Sequence, residues 1–156
     1  MSTDLSPSSS APEIVIVGGG MAGVMAALAA KTPTNRVLII EPSNVLGGQG
    51  TAGGVAGFCG DTARVNGEFA ALVAQLAAHG LIEPYRPNDD RRAYDLEWCA
   101  FFLQERVVSR GIELLLHSRV VDATAVDGVV TSLRVATAGG VMNLAPRFVI
   151  DASGAC

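Results

Sequence analysis

The feature that most constrains the fold is a glycine-spaced turn that directly follows a short apolar run. Residues 14–17 read Ile-Val-Ile-Val, and a continuous β-branched run is typical of a strand buried on both faces. Gly18, Gly20 and Gly23 follow, and an Ala- and Leu-rich stretch, residues 21–31, continues from them. A strand, a glycine turn and a helix in this order predict the start of a right-handed βαβ unit.

Each glycine of this turn has its own predicted task. Gly18 allows the tight turn, Gly20 allows a diphosphate to approach the main chain, and Gly23 allows the helix to pack against the strand. The N–H groups at the start of the helix, where Met21 and Ala22 stand, would bind the diphosphate with the help of the helix dipole. The simpler alternative is a tight turn without a ligand.

An acidic residue ends the second predicted strand, residues 36–41. Glu41 lies 23 positions after Gly18, where a carboxylate accepts both hydroxyl groups of an adenosine ribose and disfavours NADP. Pro42 follows it and is included in the predicted site. A solvated glutamate at a strand end is the alternative. These residues predict recognition of adenosine diphosphate and leave open whether the other half of the coenzyme is nicotinamide or flavin.

Composition narrows the class of protein. The chain has 156 residues, of which 49% are hydrophobic and 17% charged, so a disordered protein is excluded. The net charge of −4, without charge blocks, argues against nucleic acid and anionic lipid as main partners. No apolar run reaches the roughly 18 residues that span a membrane. The three cysteines form no CxxC pair, which predicts a reduced, cytoplasmic location and neither a disulfide framework nor a metal site.

The rest of the chain reads as one α/β domain over residues 13–156, preceded by a disordered leader, residues 1–12. Seven glycines fall within residues 47–60, but apolar residues interleave with them, which argues against a flexible linker. The 3.6-residue period predicts helices over 66–79 and 94–110, and the polar, Pro-containing stretch 81–92 predicts a loop. Further predicted strands are 112–116, 120–126, 129–137, 141–144 and 147–151.

Four segments together resemble a known family. VIVGGGMAGVMAALAA, VLIIEPSNVLGGQGTAGG, SRVVDA and FVIDASGA look like the FAD-binding half of glutathione-reductase-like flavoproteins. Within that superfamily the chain is most similar to the FAD-dependent oxidoreductases. We therefore expect a Rossmann-type FAD-binding domain: a mostly parallel sheet with helices on both faces and an added antiparallel β-meander.

The resemblance implies FAD as the cofactor and extends the site. The second glycine segment would lie along the diphosphate and the flavin, and the first strand of the meander would bind adenine through its main chain. The closing turn, in which serine stands where the family usually has threonine, would pass close to the diphosphate. The implied residues are Gly47, Gly48, Gln49, Gly50 and Thr51, then Val120 or Val121, and finally Ala152, Ser153 and Gly154.

The implied function is the FAD-binding portion of an oxidoreductase that exchanges a hydride with a small organic substrate. No residue is assigned as catalytic, because family members continue past the closing turn into a substrate domain, whereas this sequence stops at Cys156. We expect that domain on a companion polypeptide, hence a hetero-oligomer; a fragment is the alternative. Two other functions stay open: an NAD-binding dehydrogenase module and a non-catalytic, flavin-holding subunit. Cys59 is either a reactive thiol near the flavin or a packed side chain.

Overall fold

The computed structural model describes residues 11–89 and 91–154. Ten of the twelve residues of the predicted leader, and Cys156, lie outside this range. The helices are α1 (Met21–Ala30), α2 (Gly67–Ala78) and α3 (Leu96–Ser109), and the strands are β1 (Ile14–Val17), β2 (Val37–Ile40), β3 (Gly57–Phe58), β4 (Ile82–Pro84), β5 (Arg92–Tyr94), β6 (Glu113–Leu115), β7 (Arg119–Val126), β8 (Val129–Thr137), β9 (Gly140–Leu144) and β10 (Phe148–Asp151).

The central sheet is parallel and has the order β10-β1-β2-β6. β1 lies between β10 and β2, with Val17 opposite both Asp151 and Ile40. All four residues of β2 are buried, as its uninterrupted apolar sequence predicts. Because the strands are parallel, the carboxyl ends of β1, β2 and β10 meet at one edge of the sheet. Ligands of open α/β sheets bind at such an edge.

The two faces of the central sheet are covered differently. All three described helices pack on one face, where Ile16 and Ile39 lie in one hydrophobic cluster with residues such as Val24 and Leu103. The meander β7-β8-β9 covers the other face, where Val15 packs in one cluster with Val135. The α/β Rossmann-type class is confirmed, but the expectation of helices on both faces is wrong within the described residues. The meander already buries the second apolar face, so no helix is needed there.

The segment predicted as a loop, residues 81–92, contains β4 and the first residue of β5. β4 pairs antiparallel with β5, which pairs in turn with β3. The third helix therefore begins at Leu96 rather than at Tyr94, and the Asp95 carboxylate caps it by accepting from the Trp98 N–H at 3.0 Å. Strands this short gain their stability from neighbours distant in sequence, so local pattern does not reveal them. None of the described helices is both long and apolar enough to cross a membrane.

Candidate functional site

The turn between β1 and α1 is closely packed on two of its glycines and open on the third. Gly18 has a φ of +97°, and a Cβ on it would lie 2.5 Å from the Ala152 carbonyl oxygen. A Cβ on Gly23 would collide with the Gly18 carbonyl oxygen. Among the described residues, and leaving aside Gly20 itself and its two chain neighbours, no atom lies within 4 Å of the Cβ position of Gly20. Close packing thus explains why glycine stands at positions 18 and 23, as predicted. At Gly20 the free space is part of a cavity.

That cavity has a volume of about 840 Å³, within the usual range for ligand sites. It opens at the carboxyl edge of the sheet, in front of the first turn of α1. No side chain caps α1, and its first turn carries no acidic residue, so no side chain of the helix itself neutralises its positive end, which faces the cavity. Predicted residues that line it are Gly18, Gly20, Met21, Ala22, Glu41, Pro42, Gly47, Gly48, Gln49, Gly50, Val120, Ala152, Ser153 and Gly154.

Glu41 is held firmly at the cavity wall. Its side chain is buried, with Oε2 accepting from the Gly19 N–H at 2.7 Å and Oε1 accepting from the Ser43 N–H at 2.8 Å. The Glu41 main chain also bonds to β6 and to Ser118. A carboxylate has about four acceptor positions, so each oxygen can still accept from a ribose hydroxyl. The alternative of a solvated strand-end glutamate does not describe this side chain.

The second glycine segment lies directly against the first turn. The Gly47 N–H donates to the Gly19 carbonyl at 2.8 Å, and a Cβ on Gly48 would lie 3.1 Å from the Gly20 Cα. Gly47 has a φ of +105°, and Gly48–Gly50 form a single 3₁₀ turn. The two segments, separated by more than 20 residues in sequence, therefore form one continuous backbone surface along the cavity.

Thr51 has a role that the sequence did not indicate. Its side chain is buried and does not line the cavity; the hydroxyl donates to the Leu46 carbonyl at 2.6 Å. The Gly47 Cβ position is only 2.5 Å from Thr51 Cγ2. Thr51 thus holds the loop that carries Gly47 and Gly48, and its expected place along the coenzyme stays a prediction.

The end of the cavity that is predicted to bind adenine lies where β7 begins. Val120 lines the cavity, whereas Val121 is the extra residue of a β-bulge between Val120 and Asp122 and is 51% exposed. Of the two predicted adenine contacts, the structure therefore brings only Val120 into the site. Ser118 and Arg119 also line the cavity, and the sequence reasoning missed them. Both belong to the SRVVDA segment, residues 118–123, which is the signal that could have found them.

The closing turn contacts the first turn through its backbone. The Ala152 N–H donates to the Val17 carbonyl at 2.8 Å, which extends the pairing of β10 with β1. The Asp151 carboxylate accepts from the Ser153 N–H at 3.0 Å. That hydrogen bond lowers the pKa of Asp151 from its ordinary value. The turn is consequently shaped by Asp151, a residue outside the predicted site.

A second cavity of about 370 Å³ adjoins the first. The two share Met21, Gln49 and Gly50, and the walls of the second include Phe58, Phe69 and Tyr94. Phe58 stacks on Tyr94 with ring centroids 4.2 Å apart and meets Phe69 edge to face at 4.9 Å. Sequence reasoning placed Tyr94 only in a helix. Its aromatic partners are too distant in sequence for a local signal.

The cysteines differ in accessibility. Cys59 is exposed and lines the second cavity. Cys99 is buried in α3, and burial raises the pKa of its thiol to about 12. Within residues 11–89 and 91–154, no group of three or more His, Cys, Asp or Glu residues is placed to hold a metal ion.

The fold and the glycine-lined cavity define a Rossmann-type dinucleotide-binding domain. The chain belongs to the FAD dependent oxidoreductase family, which it matches over residues 13–156. Its cofactor is FAD, as the family membership shows. No curated protein is similar to it in sequence.

Several solved structures share the fold. THI4 from Thermovibrio ammonificans is 18% identical, with a TM-score of 0.62 over 92% of this chain and 57% of that one. The myxobacterial chondrochloren halogenase CndH is 17% identical (TM-score 0.66, 91% and 37% covered). The p-nitrophenol 4-monooxygenase PnpA from Pseudomonas putida is 15% identical (TM-score 0.65, 93% and 41% covered). The chain thus spans between about a third and three fifths of the length of these proteins.

The residues present suit FAD. A side chain at position 20 would project into open space. This space lies between the uncapped start of α1 and Gly48. A diphosphate needs such an approach to main-chain N–H groups, and the ribose needs an acceptor such as Glu41.

Proposed function

We propose that this chain is the FAD-binding portion of an oxidoreductase that exchanges a hydride with a small organic substrate. In this proposal the start of α1 binds the diphosphate and Glu41 binds the ribose of the adenosine. Val120 contacts adenine through its main chain, and the closing turn 152–154 passes the diphosphate. When bound, FAD supplies the hydride chemistry.

The observation that carries the proposal is the contrast among the three glycines of the first turn. Gly18 and Gly23 are glycines because protein atoms occupy the space where a Cβ would go. No such atom of the described residues lies within 4 Å of the Gly20 Cβ position, so a purely structural turn would tolerate a side chain there. A ligand that must touch the backbone is the reason that remains for glycine at this position.

The chain's own residues orient the coenzyme rather than react. Glu41 is fixed by two main-chain donors, so the ribose meets an acceptor that needs no rearrangement. The dipole of α1 is directed at the diphosphate position, where it favours negative charge. Gln49 and Gly50 line both cavities and thus lie between the diphosphate position and the aromatic walls. The residue that handles the substrate proton is proposed to belong to the substrate domain.

We place that substrate domain on a companion polypeptide, in a hetero-oligomer that works in the cytoplasm. The similar structures extend beyond the part that this chain spans, 57% of THI4 and less of the two others, which supports a substrate domain outside residues 1–156. Native mass spectrometry of the purified protein, followed by denaturing mass spectrometry, would detect FAD by its mass and reveal any second polypeptide. A homogeneous single chain that oxidises substrate would refute the companion.

Gly20→Ala tests the coenzyme site directly. Alanine is compatible with the backbone at Gly20, φ −63° and ψ 177°, so the fold should persist. We expect FAD affinity to fall about a hundredfold, because the methyl group keeps the diphosphate from the N–H groups. The matched control is Gly139→Ala, since a Cβ on Gly139 would meet nothing nearer than 3.8 Å and Gly139 lines neither cavity.

Fluorescence titration with FAD measures both variants. Unchanged binding by Gly20→Ala would refute the proposed diphosphate site. Bound FAD that no substrate reduces, with all chains present, would instead favour the non-catalytic, flavin-holding subunit.

A further inference from the structure

Tyr94 connects the second glycine segment to a distant strand. It ends β5, and its hydroxyl lies 2.8 Å from the Gly50 carbonyl oxygen and 3.0 Å from that of Val55. Its N–H also donates to the Ala56 carbonyl at 3.1 Å. One residue, about 40 positions downstream in sequence, therefore holds both ends of the stretch from Gly50 to Ala56.

The packing around Tyr94 leaves its hydroxyl little freedom. The side chain is 6% exposed, and its ring stacks on Phe58. A Cβ on Gly50 would lie 2.8 Å from the Tyr94 hydroxyl oxygen, so only glycine allows this approach. Burial raises the pKa of Tyr94 to about 12, and the hydroxyl thus remains a hydrogen-bond donor at every pH in ordinary use.

The stretch that Tyr94 holds is the wall between the two cavities. Gly50 and Gln49 line both, and Val55 lines the second. Glu41 and the closing turn line only the first cavity, and neither is hydrogen-bonded to Tyr94. Removing the Tyr94 hydroxyl should therefore shift the stretch from Gly50 to Ala56, which lies on the flavin side of the diphosphate position. The adenosine end of the first cavity should stay unchanged.

We propose that Tyr94 is a positioning residue for the coenzyme, whose hydroxyl fixes the stretch from Gly50 to Ala56 and so sets the affinity for FAD relative to ADP. The inference rests on the proposed function, since it assumes that FAD lies in the first cavity. ADP carries the adenosine and diphosphate groups but no flavin. It therefore reports on the adenosine end alone.

The experiment compares FAD and ADP binding to the full chain carrying Tyr94→Phe. Phenylalanine keeps the stacked ring and removes only the hydroxyl. We expect the dissociation constant for FAD to rise about tenfold and that for ADP to stay within about twofold. The visible absorption of the bound flavin should shift towards that of free FAD. The matched control is Tyr85→Phe, because Tyr85 is 58% exposed, and it should change neither constant.

Gly50→Ala is an independent variant in case Tyr94→Phe folds poorly. Its methyl group would displace the hydroxyl without removing it, and the same selective loss of FAD affinity is expected. Wild-type FAD affinity in both variants, or equal losses of FAD and ADP affinity, would overturn the inference. If the unaltered chain bound neither ligand, the proposed function itself would fail, which is a different result.

Discussion

The two glycine-rich segments reach the same cavity by different means. The first, residues 18–23, is shaped by its neighbours in the βαβ unit and by β10: Gly23 packs on Gly18, and Gly18 packs on Ala152. The second, from Gly47 to Ala56, is held by side-chain hydrogen bonds, above all those of Thr51 and Tyr94. Glycine alone therefore does not define a binding loop. What matters is whether protein or ligand occupies the space that each missing side chain leaves.

The largest expected effect on stability comes from a substitution in the first segment. Gly23→Ala makes a methyl group collide with the Gly18 carbonyl oxygen. Because that oxygen belongs to the backbone, it cannot move aside without shifting the whole turn. We expect the free energy of unfolding to fall by about 3 kcal/mol, the upper part of the range for overpacking. Urea unfolding of the coenzyme-free protein measures it. Gly20→Ala is the comparison and should stay within about 0.5 kcal/mol of the unaltered chain; equal losses would show that both glycines are structural.

A smaller effect is expected at Glu41, which joins the first turn to the end of β2. Glu41→Gln leaves one of the N–H groups of Gly19 and Ser43 opposite an amide NH₂ instead of an acceptor. An unsatisfied buried donor costs about 2 kcal/mol of unfolding free energy. Glu83→Gln, on exposed β4, serves as the control in the same urea experiment. A loss no larger than that of the control would mean that the two hydrogen bonds contribute little.

Thr51→Val sharpens the description of the second segment. Valine keeps the shape of the side chain and removes the hydrogen bond to the Leu46 carbonyl. We expect a loss of about 1 kcal/mol in unfolding free energy together with weaker FAD binding. Thr131→Val removes an exposed hydroxyl bond in the meander and should change neither quantity. If Thr51→Val weakened FAD binding without changing stability, the hydroxyl would be a ligand contact after all.

The smallest expected effect concerns pH and the closing turn beside the first segment. The Ser153 N–H lowers the pKa of Asp151 below its ordinary value of 3.8. The ionised Asp151 carboxylate therefore stabilises the fold fully above pH 3.8, and this contribution is lost as the pH falls through the lowered pKa. Asp151→Asn should flatten the acid side of the stability curve slightly, since the carboxylate is exposed. Unfolding midpoints measured between about pH 5 and pH 2 check it, and an unchanged slope would contradict it.

Much of the site could be predicted because its central part is local. The GxGxxG spacing and the acid at the end of β2 follow consecutive elements, and Gly18, Gly20 and Glu41 indeed line one cavity. The prediction was poorer where two elements meet. Val121 was not separable from Val120, because the β-bulge that turns it outwards depends on the pairing of β7 with β8. Ser118 and Arg119 stand in the SRVVDA segment, but only its valines were assigned to the site, and Tyr94 carries no local motif.

The sequence by itself determined the βαβ unit, the acid at its end and the family, because apolar runs and glycine spacing act between residues close along the chain. Only the tertiary structure decided which face of the sheet the helices cover, and that Tyr94 and Thr51 hold the second glycine segment. Those outcomes depend on packing between residues far apart in sequence, such as Tyr94 with Gly50 and Val15 with Val135. The periodicity of apolar residues along the chain does not predict such contacts.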